Sequence, residues 1–293
     1  MRSPLDYSNI LVTGGSGQLG SEWSRFLSSR QCNYLAPSRS ELDLSDPLSI
    51  SAYLTLARPD FVIHCGAYTK VDQAEDEPEK ANIVNHLSIG VIAEYCRVND
   101  VPMIHYSTDY VFGETDSDAI DIMVGFSPDA RTFPLGVYGR SKLDGEKLLQ
   151  SILRDALIIR VSWLCGPTGH NFVRTMLRLS ESNSQVNVVD DQKGSPTFTF
   201  DVVDISEQLA RKGVVGVRHV SSSGVISWAE FAEKIFAMSG RECTVNRISS
   251  SEFKTKAKRP LYSKLDCRLT ETEIGATMPE WEQSLSKLLQ KLQ

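Results

Sequence analysis

A tyrosine and a lysine stand four residues apart in Tyr138-Gly139-Arg140-Ser141-Lys142. On a helix that spacing puts both side chains on one face. A phenol titrates near pH ~10 and gives up its proton reluctantly. An ammonium beside it favours the phenolate and brings the acid nearer to working pH. Upstream runs Tyr106-Ser107-Thr108-Asp109-Tyr110-Val111-Phe112, just past an apolar stretch. A hydroxyl there can polarise a carbonyl while a tyrosine delivers the proton. Thr108 is the first choice and Ser107 the alternative, because neighbours along a strand point to opposite faces.

A second pattern sits near the start of the chain. The apolar run Asn9-Ile10-Leu11-Val12-Thr13 leads into Gly14-Gly15-Ser16-Gly17-Gln18-Leu19-Gly20, with glycines at every third position. A tight turn needs positive φ, a backbone without Cβ lets a pyrophosphate approach, and the helix that follows offers free amides at its positive end. Gly14, Gly17, Gln18, Leu19 and Gly20 are therefore candidate dinucleotide contacts. The next strand ends at Ala36-Pro37-Ser38-Arg39. An acidic residue there would hold ribose hydroxyls and favour NAD. A neutral donor and a cation suit a 2′-phosphate, so NADPH is expected in preference to NADH. Asp43 and Leu44 fall where such folds contact the adenine.

These residues need a scaffold that brings them to one edge. Short, nearly continuous apolar runs at 9–13, 34–36, 61–65, 102–106 and 156–162 alternate with helical stretches at 21–29, 45–57, 81–99 and 138–150. Asp46, just before Pro47, is placed to cap the second helix. That alternation predicts a Rossmann-like, doubly wound parallel α/β sheet covered on both faces. After Gly166 the rhythm changes, with helices expected at 171–180, 227–238 and 280–292. The expected organisation is a cofactor domain over 1–165, rejoined by 197–222. A smaller interleaved α/β substrate lobe takes 166–196 and 223–293.

Composition removes other classes. Among 293 residues, 31 basic and 37 acidic side chains give a net charge of -6, which argues against general nucleic-acid binding. No run of apolar residues is long enough to span a membrane. Six cysteines occur without Cys-x-x-Cys or metal-ligand spacing, so no metal is expected. Buried free thiols fit a reducing compartment. With no apolar signal region in Met1 to Tyr7, a cytoplasmic location is expected.

With these residues in view, the chain resembles the extended short-chain dehydrogenase/reductases, and more narrowly the dTDP-4-dehydrorhamnose reductase family, over nearly its whole length. The resemblance rests on Thr69-Lys70-Val71-Asp72-Gln73-Ala74-Glu75-Asp76-Glu77-Pro78, Ser107 to Phe112, and Val137 to Lys142. Asn171-Phe172-Val173-Arg174-Thr175-Met176-Leu177, Asp191-Gln192-Lys193-Gly194-Ser195-Pro196-Thr197, Ser227-Trp228 and Arg259-Pro260 add to it. It implies NADPH-dependent reduction of the C4 ketone of dTDP-4-dehydro-6-deoxy-L-mannose to dTDP-L-rhamnose. Tyr138 would be the acid, Lys142 would hold the nicotinamide ribose and Thr108 would bind the reacting oxygen. Ala67, Tyr68, Thr69 and Tyr106 would line the cofactor. Thr69, Val71, Thr108, Asp109, Trp163, Asn171 and Arg259 would meet the nucleotide-linked deoxy-sugar. The alternatives are an epimerase or dehydratase of the same superfamily, or a non-catalytic NADP-binding regulatory subunit. The oligomeric state stays open, a homodimer included.

The chain departs from the family pattern at 113–133. The stretch is longer than usual, has Gly113-Glu114 where Asp-Gly is typical, and carries Glu114, Asp116, Asp118, Asp121 and Asp129. Lying between two catalytic elements, it is expected to border the sugar and to be mobile without it.

Overall fold

Residues 2–113 and 124–292 are described by a computed structural model of the chain. Five strands form in chain order: β1 Ile10–Thr13, β2 Tyr34–Leu35, β3 Phe61–His64, β4 Met103–Thr108 and β5 Leu157–Val161. Apart from the short edge strand β2, every residue in them is buried. That explains why their runs are nearly continuously apolar: a parallel sheet with helices on both faces has no wet side. Together with a sixth strand, Gly216–His219, they make one sheet in the order Gly216–His219, β5, β4, β3, β1, β2, parallel throughout.

The chain order reverses between β1 and β3. In open α/β sheets that switch point opens a crevice beyond the strands' carboxyl ends. Gly14, after β1, and Gly66, after β3, sit at this crevice. A Cβ on Gly14 would lie 2.7 Å from the Gly66 Cα, and Gly14 has φ +65°. Space and backbone conformation both require glycine there.

Helix Pro47–Ala57 begins where expected, with the Asp46 carboxylate accepting from the Leu48 amide at 2.9 Å. The single helix expected over 81–99 is instead three pieces: Pro78–Asn82, a π-helical turn Ile83–Leu87, and Ser88–Val98. The buried Asn85 lies in that turn. Its amide accepts from the Tyr68 N–H at 2.8 Å, and donates to the Tyr68 carbonyl and the Ser141 hydroxyl, each at 3.0 Å. Such turns commonly sit at functional sites.

Beyond β5, helices Phe172–Ser180, Trp228–Ser239 and Trp281–Leu292 pack around Val173, Phe231 and Leu285. A parallel strand pair, Gln185–Val189 with Thr244–Ile248, completes this body. Helix Trp228–Ser239 carries a Ser227/Glu230 capping box and ends on Gly240 at φ +66°. Helix Thr199–Arg211 packs against α1, Gln18–Ser29.

Glu114, Asp116, Asp118 and Asp121 lie outside the described residues. The described part of the 113–133 stretch does not behave as a loose loop. Phe126 stacks on Phe112 with ring centroids 4.3 Å apart, and exchanges backbone hydrogen bonds with Lys264 and Asp266. The buried Arg160 guanidinium donates to the Pro128 carbonyl at 3.1 Å, and Phe133 N–H bonds the Val111 carbonyl. An apolar anchor and these bonds hold 124–133 against the fold. No helix among the described residues is long and apolar enough to cross a membrane.

Candidate active site

A cleft of about 830 Å³ runs along the carboxyl edge of the sheet. Its floor at one end is the glycine loop. α1 starts at Gly17 without a side-chain cap, so its first amides remain available to an anion. Gly17 N–H bonds the Gly14 carbonyl at 2.9 Å and closes the turn. Gly14, Gly17, Gln18 and Leu19 line the cleft; Gly20 lies beneath it, where a Cβ would strike the Gly14 carbonyl.

At the adenosine end stand Arg39, Asp43 and Leu44. The Arg39 side chain is 73% exposed, with a long 3.9 Å contact to Asp43. Asp43 accepts from the Ser45 amide and hydroxyl, which holds its carboxyl below the ordinary range. Ser38 does not line the cleft. Its amide and hydroxyl donate to Glu41 at 2.8 and 2.7 Å, so of this pair only Arg39 faces the cleft. Nothing in the sequence marks Glu41 for this contact, because it lies beyond the strand end.

Ala67, Tyr68, Thr69 and Val71 form one wall. Tyr68 is held on both peptide groups by Asn85, and its phenol donates to Glu77 at 2.9 Å. Tyr106 lines the cleft as well. Its ring enters the core, where its hydroxyl accepts from Trp23 at 2.7 Å and donates to Ser206 at 2.8 Å. What it offers the site is a backbone carbonyl, which accepts from Lys142 Nζ at 2.7 Å.

Helix Val137–Ile152 carries Tyr138 and Lys142. Gly139 lets it settle directly on the Tyr110 carbonyl. Lys142 is buried, and burial lowers its pKa to about 8 against the raising effect of Glu146. Tyr138 hydrogen-bonds Thr108, but burial dominates and pushes the phenol up to about 12. The lysine was expected to pull the phenol down; burial governs it instead, and the phenol stays protonated. Thr108 Oγ1 also donates to Asp109 at 3.0 Å and accepts from the Tyr110 amide. Burial pushes the Asp109 carboxyl up to about 7, opposed by its hydrogen bonds to Thr108 and Ser263. Ser107 lines the cleft, and its buried hydroxyl has no hydrogen-bond partner among the described residues.

The far wall is aromatic. Trp163, at φ +46°, stacks on Trp228 with centroids 3.5 Å apart and planes 7° apart, and donates to Ser263 at 3.2 Å. Trp228 was noticed only as part of a motif, since nothing in its neighbourhood marks it as facing the cleft. Asn171 lines the cleft but its amide is committed, donating to Gln18 and Gly166 and capping helix Phe172–Ser180. Arg259 lies outside the cleft lining. It pairs with Asp72 at 2.7 Å and bonds the Tyr110 phenol, while Lys256 pairs with Asp76 at 2.6 Å.

Thr108 and Tyr138 can thus polarise and protonate one oxygen, beside a groove shaped for a dinucleotide. Among the described residues no group of acidic, histidine and cysteine side chains is arranged to hold a metal.

The family model described as the RmlD substrate binding domain matches residues 8–293. A dTDP-4-dehydrorhamnose reductase of Sinorhizobium fredii is 36% identical, covering 96% of each chain. The Bacillus subtilis spore coat polysaccharide biosynthesis protein SpsK is also 36% identical, covering 97% of this chain and 98% of that one. A crystal structure of dTDP-4-dehydrorhamnose reductase from Bacillus anthracis in complex with NADP superposes with a TM-score of 0.90 at 32% identity, covering 99% of this chain and 100% of that one.

Proposed function

Because the chain belongs to the RmlD substrate binding domain family, we propose that it is an NADPH-dependent reductase of dTDP-rhamnose synthesis. It reduces the C4 ketone of dTDP-4-dehydro-6-deoxy-L-mannose to dTDP-L-rhamnose. The observation that carries this reading is the meeting of Thr108 and Tyr138 in the cleft that Lys142 also lines, together with a glycine loop built for a pyrophosphate. The uncapped amides of α1, the close Gly14–Gly66 approach and the exposed Arg39 fit NADPH. When bound, the cofactor supplies a hydride to C4. Thr108 holds the C4 oxygen, and the protonated Tyr138 gives that oxygen its proton as negative charge develops. Lys142 orients the nicotinamide ribose. The balance is one hydride and one proton added across the C=O bond.

In this reading Gly14, Gly17, Gln18, Leu19, Arg39, Asp43, Leu44, Ala67, Tyr68 and Thr69 serve the cofactor. Val71, Asp109 and Trp163 border the sugar. Residues 1–165 and 197–222 form the cofactor domain, supported by the strand Gly216–His219 in the main sheet and helix Thr199–Arg211 on α1. Residues 166–196 and 223–293 form the substrate lobe.

The test is incubation with NADPH and dTDP-, GDP- and CDP-linked 4-keto sugars, with product identification. Stoichiometric NADPH consumption and dTDP-L-rhamnose are expected. Turnover without net NADPH consumption would instead assign an epimerase or dehydratase.

A further inference from the structure

Behind Lys142 lies a row of polar side chains that the mechanism above leaves unused. β1, β3 and β4 are in register so that Thr13 stands opposite His64 and His64 opposite His105. All three are buried, at 0%, 1% and 0% exposure. The Gly66 amide donates to Thr13 Oγ1 at 3.1 Å, and Thr13 Oγ1 lies 2.7 Å from His64 Nδ1. Which of the two donates follows the His64 tautomer; either way the contact holds that ring in place. The two imidazoles stack, with centroids 5.3 Å and planes 21° apart. His105 Nε2 lies 3.4 Å from Lys142 Nζ.

An ammonium has three donors and no acceptor. One goes to the Tyr106 carbonyl at 2.7 Å and one toward His105 Nε2. That leaves one for a ligand hydroxyl. For His105 to accept, Nε2 must be bare and the proton must sit on Nδ1, so the imidazole has to stay neutral. Burial ensures this, lowering His64 to about 3 and holding His105 well below its ordinary value. The other titratable groups that interact with Lys142 are His64, Cys65, whose thiol burial pushes far up, and Glu146. Glu146 is committed to Arg160 at 2.7 Å.

We propose that His105, braced by its stack on His64, is a positioning residue for Lys142: with the Tyr106 carbonyl it fixes the ammonium so that its remaining N–H points into the cofactor groove. This rests on the role given to Lys142 above. A lysine tail has four rotatable bonds and no preference of its own; two fixed acceptors on β4 remove that freedom before a ligand arrives, which is how orientation contributes to rate.

The experiment measures kcat as a function of pH, and NADPH affinity, on the full chain with NADPH and the dTDP-linked 4-keto sugar. His105→Phe keeps the ring stack and deletes the acceptor. It should lower kcat about tenfold, the effect expected of one lost hydrogen bond to a charged group. It should also move the alkaline limb to lower pH by about one unit, because the charged form of Lys142 loses a partner. His105→Gln, which restores an acceptor, should recover most of both. Unfolding in urea monitors the fold; should His105→Phe not fold, His105→Asn, too short to reach Nζ, takes its place with the same expectation. A folded acceptor-less variant with the wild-type limb and kcat overturns the proposal, as does a Gln variant no better than Phe. Lys142→Met separates the two readings. If it stays active, the assignment of Lys142 itself fails; if it is inactive while His105→Phe is normal, only the role of His105 fails.

Discussion

Replacing Asn85 by leucine tests how the cofactor wall is held. Leucine has a similar volume, so the site stays filled and water stays out. The change removes the acceptor for the Tyr68 N–H and the donor for the Tyr68 carbonyl. It also removes the donor to Ser141, whose hydroxyl still donates to the Tyr138 carbonyl. Two buried main-chain groups are left without that partner, at about 1–3 kcal/mol each, so the loss should be about 3–4 kcal/mol. Against a total stability of about 5–15 kcal/mol this is large but survivable. Urea unfolding at constant m-value reads the loss. NADPH titration should show weaker binding, because Tyr68 sits between Ala67 and Thr69 in the cleft wall. A stability change below ~1 kcal/mol with unchanged NADPH affinity would refute the view that Asn85 holds this wall.

Three further outcomes are expected. Tyr138→Phe should bind NADPH normally and lose about 10²–10⁴-fold in kcat; near-normal turnover would remove the phenol from the mechanism. Arg39→Asp should move cofactor preference from NADPH toward NADH, read as the ratio of kcat/KM values; an unchanged ratio would show that Arg39 does not meet the 2′-phosphate. Asp109 has its folded pKa raised from 3.8 to about 7 by burial. Between those values the folded state holds a proton that the unfolded state has released, so its contribution to stability declines as pH rises through that window. Asp109→Asn should flatten the decline in urea unfolding measured from pH ~4 to ~7, and an identical slope in both proteins would show the group to be unperturbed.

Several features of this protein were legible in the sequence because they are short-range. The glycines at 14, 17 and 20 act through a single turn. Tyr138 and Lys142 share a face because a helix repeats locally, and Asp46 caps a helix two residues away. The buried strands announce themselves as nearly continuous apolar runs, since a sheet covered on both faces leaves no solvent-facing side. Other features depended on contacts between distant segments. Tyr106 and Ser107 are adjacent, yet which of them faces the core and which the cleft is settled by what packs on each face of β4. The pairing of Arg259 with Asp72 and Tyr110, far away in the chain, has no trace in the residues around it. Trp228 meets Trp163, and His64 meets His105, only through the packing of separate elements and the register of separate strands. The Tyr138 phenol showed the same division: its neighbour Lys142 was visible at i+4, but the desolvation that governs its pKa is supplied by the whole fold.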